Sequence, residues 1–311
     1  MKTSALAVLL ALALASAATA HTGAIFFLPS VPDPSSMNID GSEDDWGWFD
    51  RDFAVGPDGI EAWAGQFVGQ GPGAQGDDYQ ASYFMAWSLP PDNALYFFAR
   101  VADDSLKSSW GDNLRNWWDD DTMMIGVDAD HSGGSILVNE NIEEAQNGYR
   151  IVANSLATNE FGIDYGGILG GGDFPEGDWG GQPPWGLGAT QITPPDATHG
   201  STNVEYTYEI KLALWASYDP AGPDGDLNQR YTFAPDQITH TTPRLNDVDN
   251  PEGGGGAGMY GYVGGAFDGQ ADGDQAADFQ TILTHDPAEV ESAVENVTWG
   301  RIKSRTHSLL D

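Results

Sequence analysis

The sequence predicts an all-β protein: an antiparallel β-sandwich, jelly-roll-like, with long acidic Gly/Pro-rich loop insertions. Three observations predict it. Short runs of alternating apolar and polar residues recur along the chain, Gly- and Pro-rich turns separate them, and no long amphipathic helical pattern appears. A single domain is expected over residues 21–311, a length ample for one sandwich core.

In chain order, residues 1–20 read as a secretory signal. Lys2 gives the charged start, residues 5–14 the apolar stretch, and Ala18-Thr19-Ala20 the small-residue cleavage site. The mature chain is then expected to begin at His21 and to be secreted. Residues 24–28 are a short apolar run before a Pro-rich connector. Asp40-Gly41 marks a tight turn, and Trp46 is expected to cover the end of a core. Residues 56–80 are Gly-rich and read as loop. Residues 82–87 read as a strand with Tyr83, Met85 and Trp87 on one face, and Pro90-Pro91-Asp92-Asn93 turns it into a hairpin with residues 94–101. In that second run Leu95, Phe97, Ala99 and Val101 are apolar while Tyr96 and Phe98 make the other face nearly as apolar, which suits a strand covered on both sides.

Residues 122–127 form the next strand, with Met123, Ile125 and Val127 toward a core and Met124, Gly126 and Asp128 on a slim, open face. Trp118 enters this strand from a loop that also carries Trp110 and Trp117. An aromatic plane beside a shallow strand face suits stacking on a flat apolar ligand surface, and the alternative is that these rings plug the core. Residues 149–157 have strand character and include Arg150. Residues 165–202 read as one long Gly- and Pro-rich loop holding Trp179 and Trp185. Tyr206, Tyr208, Ile210, Leu212 and Leu214 then alternate with Glu205, Thr207, Glu209 and Lys211, the pattern of a strand with one wet side. Residues 231–234 and 238–242 read as short strands, 247–274 as an acidic Gly-rich stretch interrupted by 259–263, 287–297 as a helical turn or two, and 297–303 as a final strand.

The chain has 12 Lys and Arg against 47 Asp and Glu, a formal charge of −35, and no Cys. Such a surface repels nucleic acid and anionic lipid, and it favours divalent cations or a saline habitat. Without disulfides, stability rests on the core and on any bound metal. Asp128-Ala129-Asp130-His131-Ser132-Gly133 begins an oxygen-ligand loop suited to Ca²⁺, with Asp128, Asp130 and Ser132 as candidate ligands. It is not an EF-hand, because Asn139 stands at the twelfth position. Asp103-Asp104 is a second candidate pair, and residues 119–121, 247/249 and 272/274 hold further acids.

Several segments, in order, resemble family 9 carbohydrate-binding modules and the related DOMON-type sandwiches. They are Ile39-Asp40-Gly41 with Asp45-Trp46, the run Leu95 to Asp103, the run Trp118 to Asp128, Tyr206-Thr207-Tyr208-Glu209-Ile210, and Trp299-Gly300-Arg301-Ile302-Lys303. The resemblance implies a sandwich that binds calcium and sugars and has no catalysis of its own. It places Trp118 as one aromatic wall of a sugar site and Arg150 as a reader of hydroxyls. Met124 stands where the family usually carries glutamate. The second wall has no counterpart in place, and Trp179 or Trp185 could supply it. Expected partners are a polysaccharide or oligosaccharide, with self-association or a polysaccharide-degrading enzyme as further options.

Other readings stay open. An acidic calcium-binding matrix protein would use the sandwich as a building block. A copper-dependent polysaccharide oxidase would hold its metal with the amine and ring of His21 and with one of His131, His199, His240, His285 or His307, although the rest of the chain does not resemble those enzymes. A glycosidase needs a carboxylate pair across a cleft, and acids are too abundant here to single one out. Haem binding would need axial ligands such as Met123, Met124 or His131 placed across a pocket.

Overall fold

The computed structural model describes residues 25–55, 79–108, 121–130, 148–154, 161–165, 178–181, 183–217, 219, 222–247, 258–260, 277–287 and 289–290. The expected signal segment, the loop at 56–78, the terminal strand at 297–303, Trp118 and Ser132 all lie outside them.

Thirteen strands occur among the described residues: β1 (Ile25–Pro29), β2 (Tyr79–Trp87), β3 (Leu95–Ser105), β4 (Thr122–Asp128), β5 (Gly148–Asn154), β6 (Phe161–Tyr165), β7 (Gly186–Thr193), β8 (Thr202–Leu212), β9 (Trp215–Ser217), β10 (Gln229–Arg230), β11 (Ile238–Asp247), β12 (Gly258–Tyr260) and β13 (Ala277–Ile282). They build the predicted all-β sandwich. One sheet, here sheet A, runs β1-β13-β11-β4-β5-β6 with β12 added on β11. The other, sheet B, runs β2-β3-β8-β7, and β9 with β10 makes a small separate ladder. Pairing within the sheets is antiparallel apart from β1 against β13, which is parallel.

Period-2 alternation fixes what faces inward. Tyr83, Met85 and Trp87 from β2, Leu95, Phe97, Ala99 and Val101 from β3, and Tyr206, Tyr208, Ile210 and Leu212 from β8 meet Met123 and Ile125 of β4, Leu245 of β11 and Phe279 of β13 in one core. The β2–β3 hairpin forms as predicted, with Trp87 opposite Leu95.

The outer face of sheet B is half covered, as the two-sided apolar pattern of β3 demands. Residues 31–54 lie across it, and Val31, Trp46 and Phe49 are buried against Phe84, Ala86, Tyr96 and Phe98. Phe84 and Phe98 are cross-strand partners whose rings stack at 5.1 Å and 15°, and Phe49 stacks on Phe84 at 5.0 Å. Aromatic pairs of this kind contribute about 0.5–1.5 kcal/mol beyond the area they bury. Trp46 therefore covers a sheet face rather than the end of a core.

The wet side expected for β8 is corrected at Glu209, which is fully buried. Its register neighbours are Phe98 and Ala189, so the face there is closed by the same segment. The carboxylate is satisfied by three donors: the Trp46 indole N–H to Oε1, and the Asp40 and Gly41 amides to Oε2, each at 2.9 Å. Gly41 has φ +81°, and a Cβ on it would stand 2.9 Å from the Thr190 carbonyl carbon. Only glycine fits that turn. Lys211, two residues on, is partly exposed and pairs with Asp92 at 2.5 Å. Burial alone would raise the Asp92 carboxyl, but hydrogen bonds from Lys211, Ser88 and Tyr96 outweigh it and hold the group below its usual range.

Two further expectations are corrected. The Gly/Pro-rich stretch 165–202 is not one loop, since β7 pairs along eight residues of β8. Residues 231–234 form no strand; Phe233 is instead tied by its amide to the Asn93 side chain at 2.8 Å.

Burial raises the Glu209 carboxyl above its usual 4.5, and the hydrogen bonds from Trp46, Gly41 and Asp40 reduce that rise without cancelling it. The folded state thus holds this proton more tightly than the unfolded chain. Its contribution to stability is fully present below the unfolded value and is lost as pH climbs through the folded one. Glu209→Gln should therefore flatten the stability-against-pH curve just above pH 4.5. Urea unfolding of both proteins across that window checks it, and parallel curves would refute it.

Candidate functional site

Asp103 of β3, Asp121 immediately before β4, and Asp247 at the end of β11 converge at one end of the sandwich. Each is buried, and one oxygen from each lies within 4.8 Å of the other two. The site spans the two sheets, because β3 belongs to sheet B while β4 and β11 belong to sheet A. β4 and β11 pair along Thr122 to Asp128, which brings their ends together.

The surroundings fix the carboxylates in place. The Tyr206 hydroxyl donates to Asp103 Oδ2 at 3.0 Å, and the Ser105 amide donates to Oδ1 at 2.8 Å. The Lys107 amide donates to Asp121 Oδ2 at 2.5 Å, while the Asp121 amide donates to the Lys107 carbonyl at 2.9 Å. The Tyr208 hydroxyl reaches the Asp121 carbonyl at 3.3 Å. Burial pushes the Asp103 carboxyl up, against the hydrogen bonds it accepts from Ser105 and Tyr206. Burial, then the carboxylates and neighbouring phenols, push the Tyr79 and Tyr206 hydroxyls well above their usual range. Three acids this close cannot all stay charged without a proton or a cation between them. Their donors are hard carboxylate oxygens, which suit Ca²⁺ and not a soft metal.

The predicted metal residues divide in two. Asp103 joins the buried cluster, whereas Asp104 is exposed on the alternate side of β3. Asp128 closes β4 with Gly148 and His240 as its Cα partners, and Asp130 is exposed in the turn after it. Asp128 is seven residues from Asp121, about 23 Å along the strand, so Asp128 and the buried cluster sit at opposite ends of β4. The partnership of Asp121 and Asp247 with Asp103 is invisible to spacing, because it depends on which strand ends meet.

Of the predicted sugar-contact residues, Arg150 lies on β5 with Asp164 of β6 as its Cα partner. The adjacent register row runs Val152, Met124, Arg244 across β5, β4 and β11. Arg244 is thus a base near the predicted site that the sequence pattern did not single out. Trp179 and Trp185 are half-buried and pack edge-to-face on each other at 6.0 Å. Both also meet the buried Trp215, at 5.1 and 5.4 Å. The Trp179 indole N–H donates to the Asp219 carbonyl at 2.9 Å. The Arg230 guanidinium stands 5.5 Å from the ring centres of Trp185 and Trp215, and donates to the Asn93 carbonyl at 2.8 Å. These two rings pack against the main core, at the edge where 178–181 meets β6 and β7.

No protein-family model matches the chain, and no curated protein matches it. Its fold is similar to that of a family 9 carbohydrate-binding module from Caldicellulosiruptor kristjanssonii solved with glucose. The two share 14% identity over 84% of this chain and 97% of that one, with a TM-score of 0.49. A family 9 module from the same organism solved with cellotriose gives 15% identity, 85% and 97% coverage, and a TM-score of 0.46.

The cluster can be dissected without metal. Asp121→Asn keeps an acceptor for the Lys107 amide and removes one buried like charge, whereas Asp121→Ala removes that acceptor as well. In chelator the Ala variant should be less stable than the Asn variant by about 1–3 kcal/mol, read from urea denaturation. Equal stabilities would show that the Lys107 contact contributes nothing.

Proposed function

We propose that this protein is an exported, non-catalytic sugar-binding sandwich whose end is closed by calcium. Asp103, Asp121 and Asp247 are the proposed calcium ligands. Trp118 is the proposed stacking platform and Arg150 the hydroxyl reader, with Arg244 in the neighbouring row as a further donor. One observation carries the reading. Three of the segments that resemble family 9 modules fall on β3, β4 and β8 of one sandwich, and two of those three contribute carboxylates to the same buried cluster.

Each proposed group has a physical task. A sugar ring presents a flat C–H face that an indole can cover, and its equatorial hydroxyls suit the planar fork of a guanidinium. Calcium would neutralise three acids from two sheets, so its binding would be linked to folding. Asp128 and Asp130 at the far end of β4 remain a second proposed calcium loop.

Calcium at about a hundredfold excess over its Kd should stabilise the protein by about 2.7 kcal/mol, seen as a thermal midpoint that falls on adding chelator. Asp121→Asn should remove most of that shift, and an unchanged midpoint in wild type would count against a calcium at this site. On a glycan array, Trp118→Ala and Arg150→Ala should each weaken the best hit by about tenfold. Undiminished binding in both would move the sugar site elsewhere.

A further inference from the structure

The half of sheet B's outer face that residues 31–54 leave open is a groove of about 360 Å³, within the range of small-molecule sites. Strand register lays its floor out as two rows of outward positions. One runs Gln80, Ala102, Glu205, Thr193 and the other Ser82, Arg100, Thr207, Gln191, each across β2, β3, β8 and β7 in turn. Ala102 makes the recess, being the one small residue between two long polar neighbours.

We propose that this groove binds a segment of a neutral oligosaccharide through its hydroxyls, on the sheet opposite to the one that carries Arg150. Charge is the first reason. The chain carries −35, yet the residues lining this groove include one base, Arg100, and one acid, Glu205. Such a balanced surface selects neither an anion nor a cation. Composition is the second. Apart from Ala102, the outward positions carry amides, hydroxyls, a guanidinium and a carboxylate, so a ligand lying along the rows meets donors and acceptors.

The third reason is that the polar groups are held ready. Glu43 bonds the Arg100 guanidinium at 3.0 Å and pairs through its other oxygen with Arg51. The Gln191 side chain donates to the Asp40 carbonyl at 3.1 Å, and the Thr207 hydroxyl donates to the Gly41 carbonyl at 2.6 Å while accepting from the Gln191 amide at 3.2 Å. Groups already fixed lose little freedom when a ligand arrives. Arg100, Gln191, Ala102 and Glu205 are all exposed, so a chain can lie along the rows without any rearrangement.

The ligand class rests on the sugar-binding reading above; the location rests on this groove alone. The test is calorimetry with a length series of neutral gluco-, xylo- and manno-oligosaccharides on wild type, Ala102→Trp, Gln191→Ala and Arg150→Ala. Ala102→Trp fills the recess and Gln191→Ala removes one fixed amide; both positions are exposed, and unchanged thermal midpoints confirm intact folding. Each should weaken binding of the longest oligomer by about tenfold, and Arg150→Ala should retain the component that Ala102→Trp and Gln191→Ala weaken. The proposal fails if both groove variants bind as wild type does. Loss in Arg150→Ala alone leaves the sheet A reading standing and overturns this one. Binding lost in the groove variants but not in Arg150→Ala does the reverse, and a wild type that binds no member of the series overturns both.

Discussion

The buried carboxylate of Glu209 determines where the first part of the described chain lies. Its three donors come from Asp40, Gly41 and Trp46, so a single side chain on β8 anchors a segment more than 160 residues away in sequence. Burying a charge is costly unless donors replace its water, and here all three do so from one turn. That turn brings Trp46 over Phe84 and Phe98, which closes one half of the sheet's outer face. It also places the Asp40 and Gly41 carbonyls where they hold Gln191 and Thr207. One anchor thus seals half of the face and orders the polar floor of the other half.

A second constraint acts at the end of the sandwich. The surface is heavily acidic, and solvent and salt screen charges that are exposed. They do not screen Asp103, Asp121 and Asp247, which are buried together. Because these acids come from opposite sheets, whatever neutralises them also ties the sheets to each other. The tyrosines of β2 and β8 pack around the cluster, and their hydroxyls are held strongly protonated there by burial and by the carboxylates themselves. A phenol that stays protonated remains a donor, which is what a patch of carboxylates needs.

Much of the fold was legible because it is local. The alternation in β2, β3 and β8 and the Pro-Asn turn between β2 and β3 are short-range signals, and the apolar second face of β3 correctly demanded a cover. Glu209 was misread because period-2 reasoning assigns every polar outward position to water, and nothing near it in sequence shows that Trp46 and Gly41 return to meet it. The strand β7 was hidden by its glycines. Gly186 sits where a Cβ would stand 2.8 Å from the Gly180 carbonyl oxygen, so the residue that reads as loop is there for close packing. The acidic clusters were visible as sequence pairs, but spacing favoured Asp103 with Asp104, neighbours that strand alternation sends to opposite faces.

The same limit applies to Met124. In the resemblance to family 9 modules this position lacks an acid that accepts hydrogen bonds from sugar hydroxyls, and from sequence alone the row reads as weakened. Register changes that judgement. In register, β11 sets Arg244 beside Met124, and β5 sets Arg150 one row away. A hydroxyl can donate or accept, so on the proposed reading contact is conserved while its direction reverses. Reversal has a consequence for selectivity. A carboxylate fixes a hydroxyl as donor and leaves its lone pairs for other partners, whereas a guanidinium fixes the same hydroxyl as acceptor. Fold similarity alone therefore does not carry glycan preference from one sandwich to another.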